Sequence, residues 1–305
     1  MRLQEHTVPS GRSAPLGGFL YLLLAGCTGP FVAEPPCVPA AGPVTLPSSV
    51  PESSGVEPAG EAAGSFWTHN DSGWDPILFQ VDSFGTELGR VHVEGARNRD
   101  WEDLAAGPCP EGGRCLYIAD TGDNALVRQD PAVYRVREPS AADETVTAQR
   151  FPVRFPHGPR DVEALHVLPG ERLFFITKGR AGPVELYRYP GPPAEDEPVE
   201  LERIQILTDR APLLPSMVTG SAASPDGSLV AVRTYQALTF HLPDSAGLLE
   251  EVPGGTVNLR PLGEVQGEAV AFLSGDRLVL TSEAGPGGEV GSMAFLRCSL
   301  PGPSW

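Results

Sequence analysis

Five short apolar runs, each opened by an oxygen-bearing side chain, constrain this chain more than any other feature. They read Ser54-Gly55-Val56, Glu102-Asp103-Leu104-Ala105, Glu163-Ala164-Leu165, Thr219-Gly220-Ser221-Ala222 and Glu268-Ala269-Val270-Ala271. By subtraction, the opening residues lie 48, 61, 56 and 49 residues apart. Repeats of that length, each holding several β-prone runs, mark a β-propeller built of small antiparallel blades. The expected fold is therefore all-β, a five-bladed β-propeller. If each run is the innermost strand of its blade, Ser54, Glu102, Glu163, Thr219 and Glu268 meet at one end of the central channel. Three of them are carboxylates, and buried like charges at close range call for a counter-ion.

The remaining strands follow from β-branched and aromatic runs separated by Gly, Pro, Asp and Asn. Repeat one is expected at 54–57, 65–69, 77–81 and 87–93, and repeat two at 102–105, 115–119, 132–136 and 145–153. Repeat three reads 163–168, 172–177, 184–189 and 199–207, and repeat four 219–223, 228–233, 238–241 and 257–259. Repeat five has only 268–272, 277–281 and 294–298. Its missing outer strand is expected from 43–47, which would close the ring and cover an open sheet edge. The implied layout is a signal peptide at 1–26, a Pro-, Ala- and Gly-rich tether at 27–41, the propeller at 42–300 and a short tail at 301–305.

The N-terminus reads as an address. Arg2 and Arg12 precede an apolar run from Phe19 to Ala25, too short to span a bilayer. The run ends in Leu24-Ala25-Gly26-Cys27, which resembles a bacterial lipobox. The resemblance implies cleavage before Cys27, lipidation (palmitate included) of its thiol, and a membrane partner through that anchor. Thr28 in place of an aspartate points to the outer membrane or cell surface. The competing readings are an ordinary signal peptide, or a misplaced start codon ahead of a soluble protein. Export makes disulfides plausible for the four other cysteines. Cys109 and Cys115 flank a turn, and closure by 43–47 would bring Cys37 to Cys298. The alternative is four free thiols.

Formal net charge is -17, and Lys178 is the single lysine. Such a surface repels nucleic acid and favours cations. Antiparallel pairing places the ends of the second strands beside the column, which gathers His69-Asn70-Asp71, Asp120, Lys178, Arg233 and Glu283 at one mouth. Glu52, Asp100, Asp103 and Asp161 are expected there too. Turn chemistry alone accounts for many Asp, Asn, Ser and Thr residues at such places, but not for acids opening three inner strands. All five column side chains offer the hard oxygen donors that calcium prefers, with water completing about 6–8 ligands, whereas a five-fold ring fits the magnesium octahedron poorly. An unmetallated, solvated channel is the alternative.

The column resembles the axial site of the calcium-activated nucleotidase family, apyrases whose five-bladed propellers hold calcium through serine or glutamate at the start of each inner strand. The phrases Glu52-Ser53-Ser54, Glu163-Ala164, Gly220-Ser221 and Gly267-Glu268-Ala269 carry it. The resemblance implies one calcium on Ser54, Glu102, Glu163, Thr219 and Glu268. Asn70-Asp71-Ser72-Gly73 stands where that family has Asp-Asp-Arg-Thr-Gly; Asp71 matches and the arginine is missing. The chain also looks like uncharacterised bacterial propeller lipoproteins with Trp-Glu-Asp and His-Asn-Asp-Ser-Gly phrases, and more loosely like esterase-like phytases.

Two functions stay open. One is a lipid-anchored, calcium-stabilised binding scaffold for a protein or a small anionic ligand. The other is a calcium-dependent hydrolase of a phosphoester, phosphoanhydride or other ester. In the hydrolase, Asp71 or Asp120 would orient or deprotonate water while Lys178 and Arg233 held the anion. A glycosidase would need a carboxylate pair across a cleft, and no feature selects one. No Walker loop, nucleophile elbow or zinc-spaced histidine pair is present.

Overall fold

The computed structural model describes residues 36–195, 197–287 and 289–299. They form five sheets, antiparallel except for two short edge strands. The inner strands are Ser53–Pro58, Trp101–Pro108, Val162–Leu168, Val218–Ala223 and Gln266–Ser274. Each touches the next in chain order, and the fifth touches the first. The protein is a closed five-bladed β-propeller.

Each blade lays a flat, mostly apolar face against the next, so the core is five inter-blade layers. Trp67 and Leu78 of blade one meet Trp101, Leu104 and Ile118 of blade two. Tyr117 and Phe151 of blade two meet Leu165, Phe175 and Tyr187 of blade three. Phe240 of blade four meets Phe272 and Leu296 of blade five. Full burial of such large side chains contributes roughly 2–3 kcal/mol each, which is why the strands read as nearly continuous apolar runs.

Ring closure uses more of the N-terminus than expected. Val44–Thr45 pairs with Met293 and Ser292, so the expected closing strand is present. Cys37–Pro39 also pairs antiparallel with the same final strand, Ser292–Cys298. The expected tether therefore already contains propeller at Cys37. Register places Cys37 opposite Cys298, and the two form a disulfide. Cys109 and Cys115 form the second disulfide across their turn.

Two expected outer strands are split between blades. The run 145–153 divides into Thr145–Thr147, which pairs parallel with Val93 at the edge of blade one, and Gln149–Arg154, which stays in blade two. The run 199–207 divides in the same way into Val199–Glu200, on blade two, and Glu202–Ile206, on blade three. Blades two and three thus each hand a short parallel strand back to the preceding blade and cover its open edge. At blade three the side-chain amide of Gln205 substitutes: it donates to Leu249 O at 2.9 Å and accepts from Leu249 N at 2.8 Å. The expected signal peptide, the expected Cys27 lipobox and the expected tail at 301–305 lie outside the described residues.

Candidate metal centre

One irregularity repeats in all five blades. Where the inner strand meets the second strand, an extra residue is inserted on the inner side. Pairing skips from Ser53 to Gly55, from Trp101 to Asp103, from Val162 to Ala164, from Val218 to Gly220, and from Gly267 to Val270. The skipped residues are Ser54, Glu102, Glu163, Thr219 and, with Ala269, Glu268. Every column residue is thus part of a β-bulge, a device that breaks the alternation of a strand and re-aims a side chain. All five are buried.

Their side chains then divide. Ser54 Oγ donates to the Glu102 carbonyl at 2.7 Å, and Thr219 Oγ1 donates to the Glu268 carbonyl at 3.1 Å. These two hydroxyls tie one inner strand to the next. The carboxylates face one another's charge. Burial, then the Glu163 charge, push both Glu102 and Glu268 well above the ordinary carboxylate range. Burial raises Glu163 to about 8 despite its contact with Lys178 Nζ at 2.7 Å. Glu268 Oε1 accepts from Gln266 at 2.8 Å, while its Oε2 is buried without a partner.

Glu102 belongs to two groups of acids. Asp71, Asp100 and Glu102 each offer an oxygen within 4.8 Å of the others, and so do Glu102, Asp161 and Glu163. Two oxygens bound to one calcium at about 2.4 Å can be no more than about 5 Å apart, so either group has the right span. Asp161 is 4% exposed, and its Oδ2 has no hydrogen-bond partner. Gly122 explains how two carboxylates fit at one point: a Cβ there would lie 1.9 Å from Glu102 Oε1 and 2.5 Å from Asp100 Oδ2. Hard oxygen donors, orphaned buried lone pairs and a glycine-shaped cradle fit a calcium-type cation. Glu283, raised to about 8 by burial and by Asp71, and Asp71 itself, raised to about 7 by burial and by Asp100, complete the acidic mouth.

Lys178 is the cation inside this mouth. It is 6% exposed; burial opposes its charge, but Glu163 and Glu102 hold its ammonium above the ordinary lysine value. Its Nζ lies 5.9 Å from the centre of the Tyr235 ring. The other expected participants take different places. Arg233 is fully buried away from Asp71, donating to the Ala269 and Thr281 carbonyls at 2.5 and 3.1 Å and to Glu264 at 2.5 Å. It bolts blade four to blade five, and Gly267 is glycine because a Cβ would meet Arg233 Nη2 at 1.9 Å. Asp120 is held by Arg128 at 2.7 Å and accepts the Asp100 N–H, so it is not free to work on water. Asp103 is not at the mouth. Its Oδ2 accepts the Leu165 and Ser221 N–H groups at 2.8 and 3.1 Å, and its Oδ1 the Leu104 N–H at 2.8 Å. Inner strands have one edge without a partner strand, and Asp103 supplies the acceptors that edge lacks.

Sequence reasoning did not find the Gly122 cradle or Arg180, whose Nε lies 3.4 Å from Asp161 Oδ2. A glycine two residues past Asp120 and an arginine two residues past Lys178 carry no signal by themselves.

No protein-family model matches the chain, and no curated protein matches it. Among solved structures it is similar to the PQQ-bound form of an aldose sugar dehydrogenase from Streptomyces coelicolor, at a TM-score of 0.50 and 15% identity, covering 86% of this chain and 98% of that one. It also matches a glucose dehydrogenase at a TM-score of 0.48 and 14% identity, over 87% of this chain and 100% of that one. At such identities the likeness is one of propeller fold.

Proposed function

We propose that this chain is an envelope-anchored binding protein whose propeller mouth holds a calcium ion. The observation that carries the reading is Glu102, a buried carboxylate shared by two acid groups of calcium span. Lys178, with Arg128 and Arg180 at the edge, is outnumbered by Asp71, Asp100, Glu102, Asp120, Asp161, Glu163, Glu268 and Glu283, and a divalent cation relieves the imbalance. The test is thermal unfolding with calcium, with magnesium and with chelator. Calcium should raise the melting temperature by several degrees over chelator and more than magnesium does. Glu102→Gln should remove most of that rise, whereas Glu57→Gln, at the other end of the channel, should keep it. A wild-type melting temperature indifferent to chelator would overturn the reading.

The anchor belongs to the same proposal and rests on Leu24-Ala25-Gly26-Cys27. Cys27→Ser should move the protein from the detergent phase to the aqueous phase, and unchanged partitioning counts against lipidation.

A second reading, cation-assisted hydrolysis of a phosphoester or other ester, has one observation in its favour. Asp71 is half-buried at the mouth, with Oδ1 unpartnered beside Asp100 and Glu102. A carboxyl raised to about 7 there can accept a proton from water. Calcium-dependent turnover of nucleoside diphosphate, phytate or an aryl ester, lost in Asp71→Asn, would establish it. Arg233 and Asp120 have no part in it, being held by their own partners.

A further inference from the structure

Beside the acidic mouth lies a separate cavity of about 220 Å³. Its walls include Leu126, Asp161, Thr177, Arg180, Pro183 and Glu185. We infer that this cavity binds the anionic group of a small ligand, a phosphate or a carboxylate, through Arg180, and only while the adjoining acids hold their cation. The inference rests on the calcium reading above and extends it to the ligand.

The two arginines of the cavity are not equivalent. Arg160 is committed: its Nε donates to Glu185 at 2.9 Å, and its Nη1 donates to the carbonyls of His157, Gly158 and Pro159 at 3.2, 3.3 and 3.0 Å. Arg180 makes no hydrogen bond among the described residues. Its one polar contact is the 3.4 Å ion pair with Asp161, and its side chain is 41% exposed. A planar guanidinium with free N–H groups at a cavity rim matches a two-oxygen face of a phosphate or carboxylate. Glu185 does not oppose the anion, because Arg160, Arg203 and the Tyr187 hydroxyl all donate to it. Thr177 Oγ1 accepts the Glu185 N–H at 2.9 Å, which leaves the hydroxyl proton free to donate into the cavity.

Asp161 couples the cavity to the metal centre. It lines the cavity and also belongs to the group with Glu102 and Glu163. Without a cation, its carboxylate, with Oδ1 on the Asp123 N–H and Oδ2 toward Arg180, keeps its charge at the cavity and repels an incoming anion. A cation on Asp161 neutralises that charge, frees the guanidinium and offers open coordination positions to the anion's other oxygens. Size limits the ligand. About 220 Å³ is the liquid volume of roughly seven waters, below the roughly 300–1,000 Å³ of pockets for drug-sized molecules. The cavity therefore suits one anionic group with a small apolar body against Leu126 and Pro183, and excludes a whole nucleotide.

The experiment is calorimetric titration of the full chain with phenyl phosphate, and separately with benzoate, in calcium and in chelator. At least one anion should bind in calcium and neither in chelator. By reciprocity the bound anion should tighten calcium binding, by roughly 5–50-fold. Arg180→Ala, at an exposed position, should abolish both effects without weakening calcium binding in the absence of anion, because the guanidinium beside Asp161 opposes a second cation there. A wild type that binds calcium but neither anion in its presence, or coupling that survives Arg180→Ala, overturns this inference and leaves the metal centre standing. Failure of the wild type to bind calcium overturns the metal centre itself.

Discussion

At the scale of single residues, the same chemistry serves structure and site within one turn of the channel. Glu102 and Asp103 are neighbours in sequence, yet the bulge sends Glu102 to the acidic group and Asp103 to three backbone N–H groups on three inner strands. Asp103→Asn would replace one of those acceptor oxygens with an amide donor facing N–H. The expected loss is about 2–4 kcal/mol in chemical unfolding, because buried donors would be left unpaired. Calcium affinity of the folded variant should change little, since Asp103 belongs to neither acid group; a variant as stable as wild type would refute the cross-channel role. The column was legible in sequence because an acid at the head of an apolar run is a local pattern. The fates of Asp103, Arg233 and Asp120 were not, because each is decided by a partner far away in the chain: Ser221 for Asp103, Ala269 for Arg233, and a loop residue, Arg128, for Asp120.

At the scale of elements, the propeller's strands were readable where apolar runs end in turn residues, and misread where a run crosses from one blade to the next. Thr145–Thr147 and Gln149–Arg154 are a single β-prone stretch in sequence; only the neighbouring blade's open edge separates them. In blade four the outer strand Leu249–Asn258 was seen only at its end, since Pro253-Gly254-Gly255 reads as a break while pairing continues through a register shift. Closure was readable because the fifth repeat lacked a strand. The Cys37–Cys298 disulfide locks that closure across a sequence separation of 261 residues. Loop-closure entropy puts its upper contribution at about 5.5 kcal/mol. The Cys37→Ser, Cys298→Ser double variant should therefore melt well below wild type, and proteolysis of the native state should begin at the freed N-terminal strands. The Cys109–Cys115 disulfide closes a far shorter loop, with a separation of 6, so Cys109→Ser with Cys115→Ser should cost less. Equal losses from the two pairs would argue against the closure role.

At the scale of the whole molecule, the charge imbalance and the channel set how stability depends on pH and calcium together. Asp71, Glu57, Glu163 and Glu283 have folded-state values of about 7, 7, 8 and 8, all raised chiefly by burial. For an acid raised on folding, the native state holds more protons than the unfolded chain, so stability falls as pH rises toward the folded value. His69 and His166, buried and lowered to about 4 and about 3, act in the opposite sense, but only below the ordinary histidine value near 6.5. The histidine contribution ends near pH 6.5, and above it the acids act alone. Calcium-free protein should therefore gain from the histidines as pH rises toward 6.5 and lose stability between pH 6.5 and 8. Calcium binds the ionised acids, so it should flatten or reverse the fall contributed by Asp71 and Glu163, while the part due to Glu57, beside Arg114 at the far end of the channel, persists. Thermal unfolding at pH 6.5, 7.25 and 8, with calcium and with chelator, reads this directly. A calcium-free melting temperature that holds level or rises from pH 6.5 to 8 would show that the mouth's acids ionise at ordinary values, and that no cation is needed to keep them together.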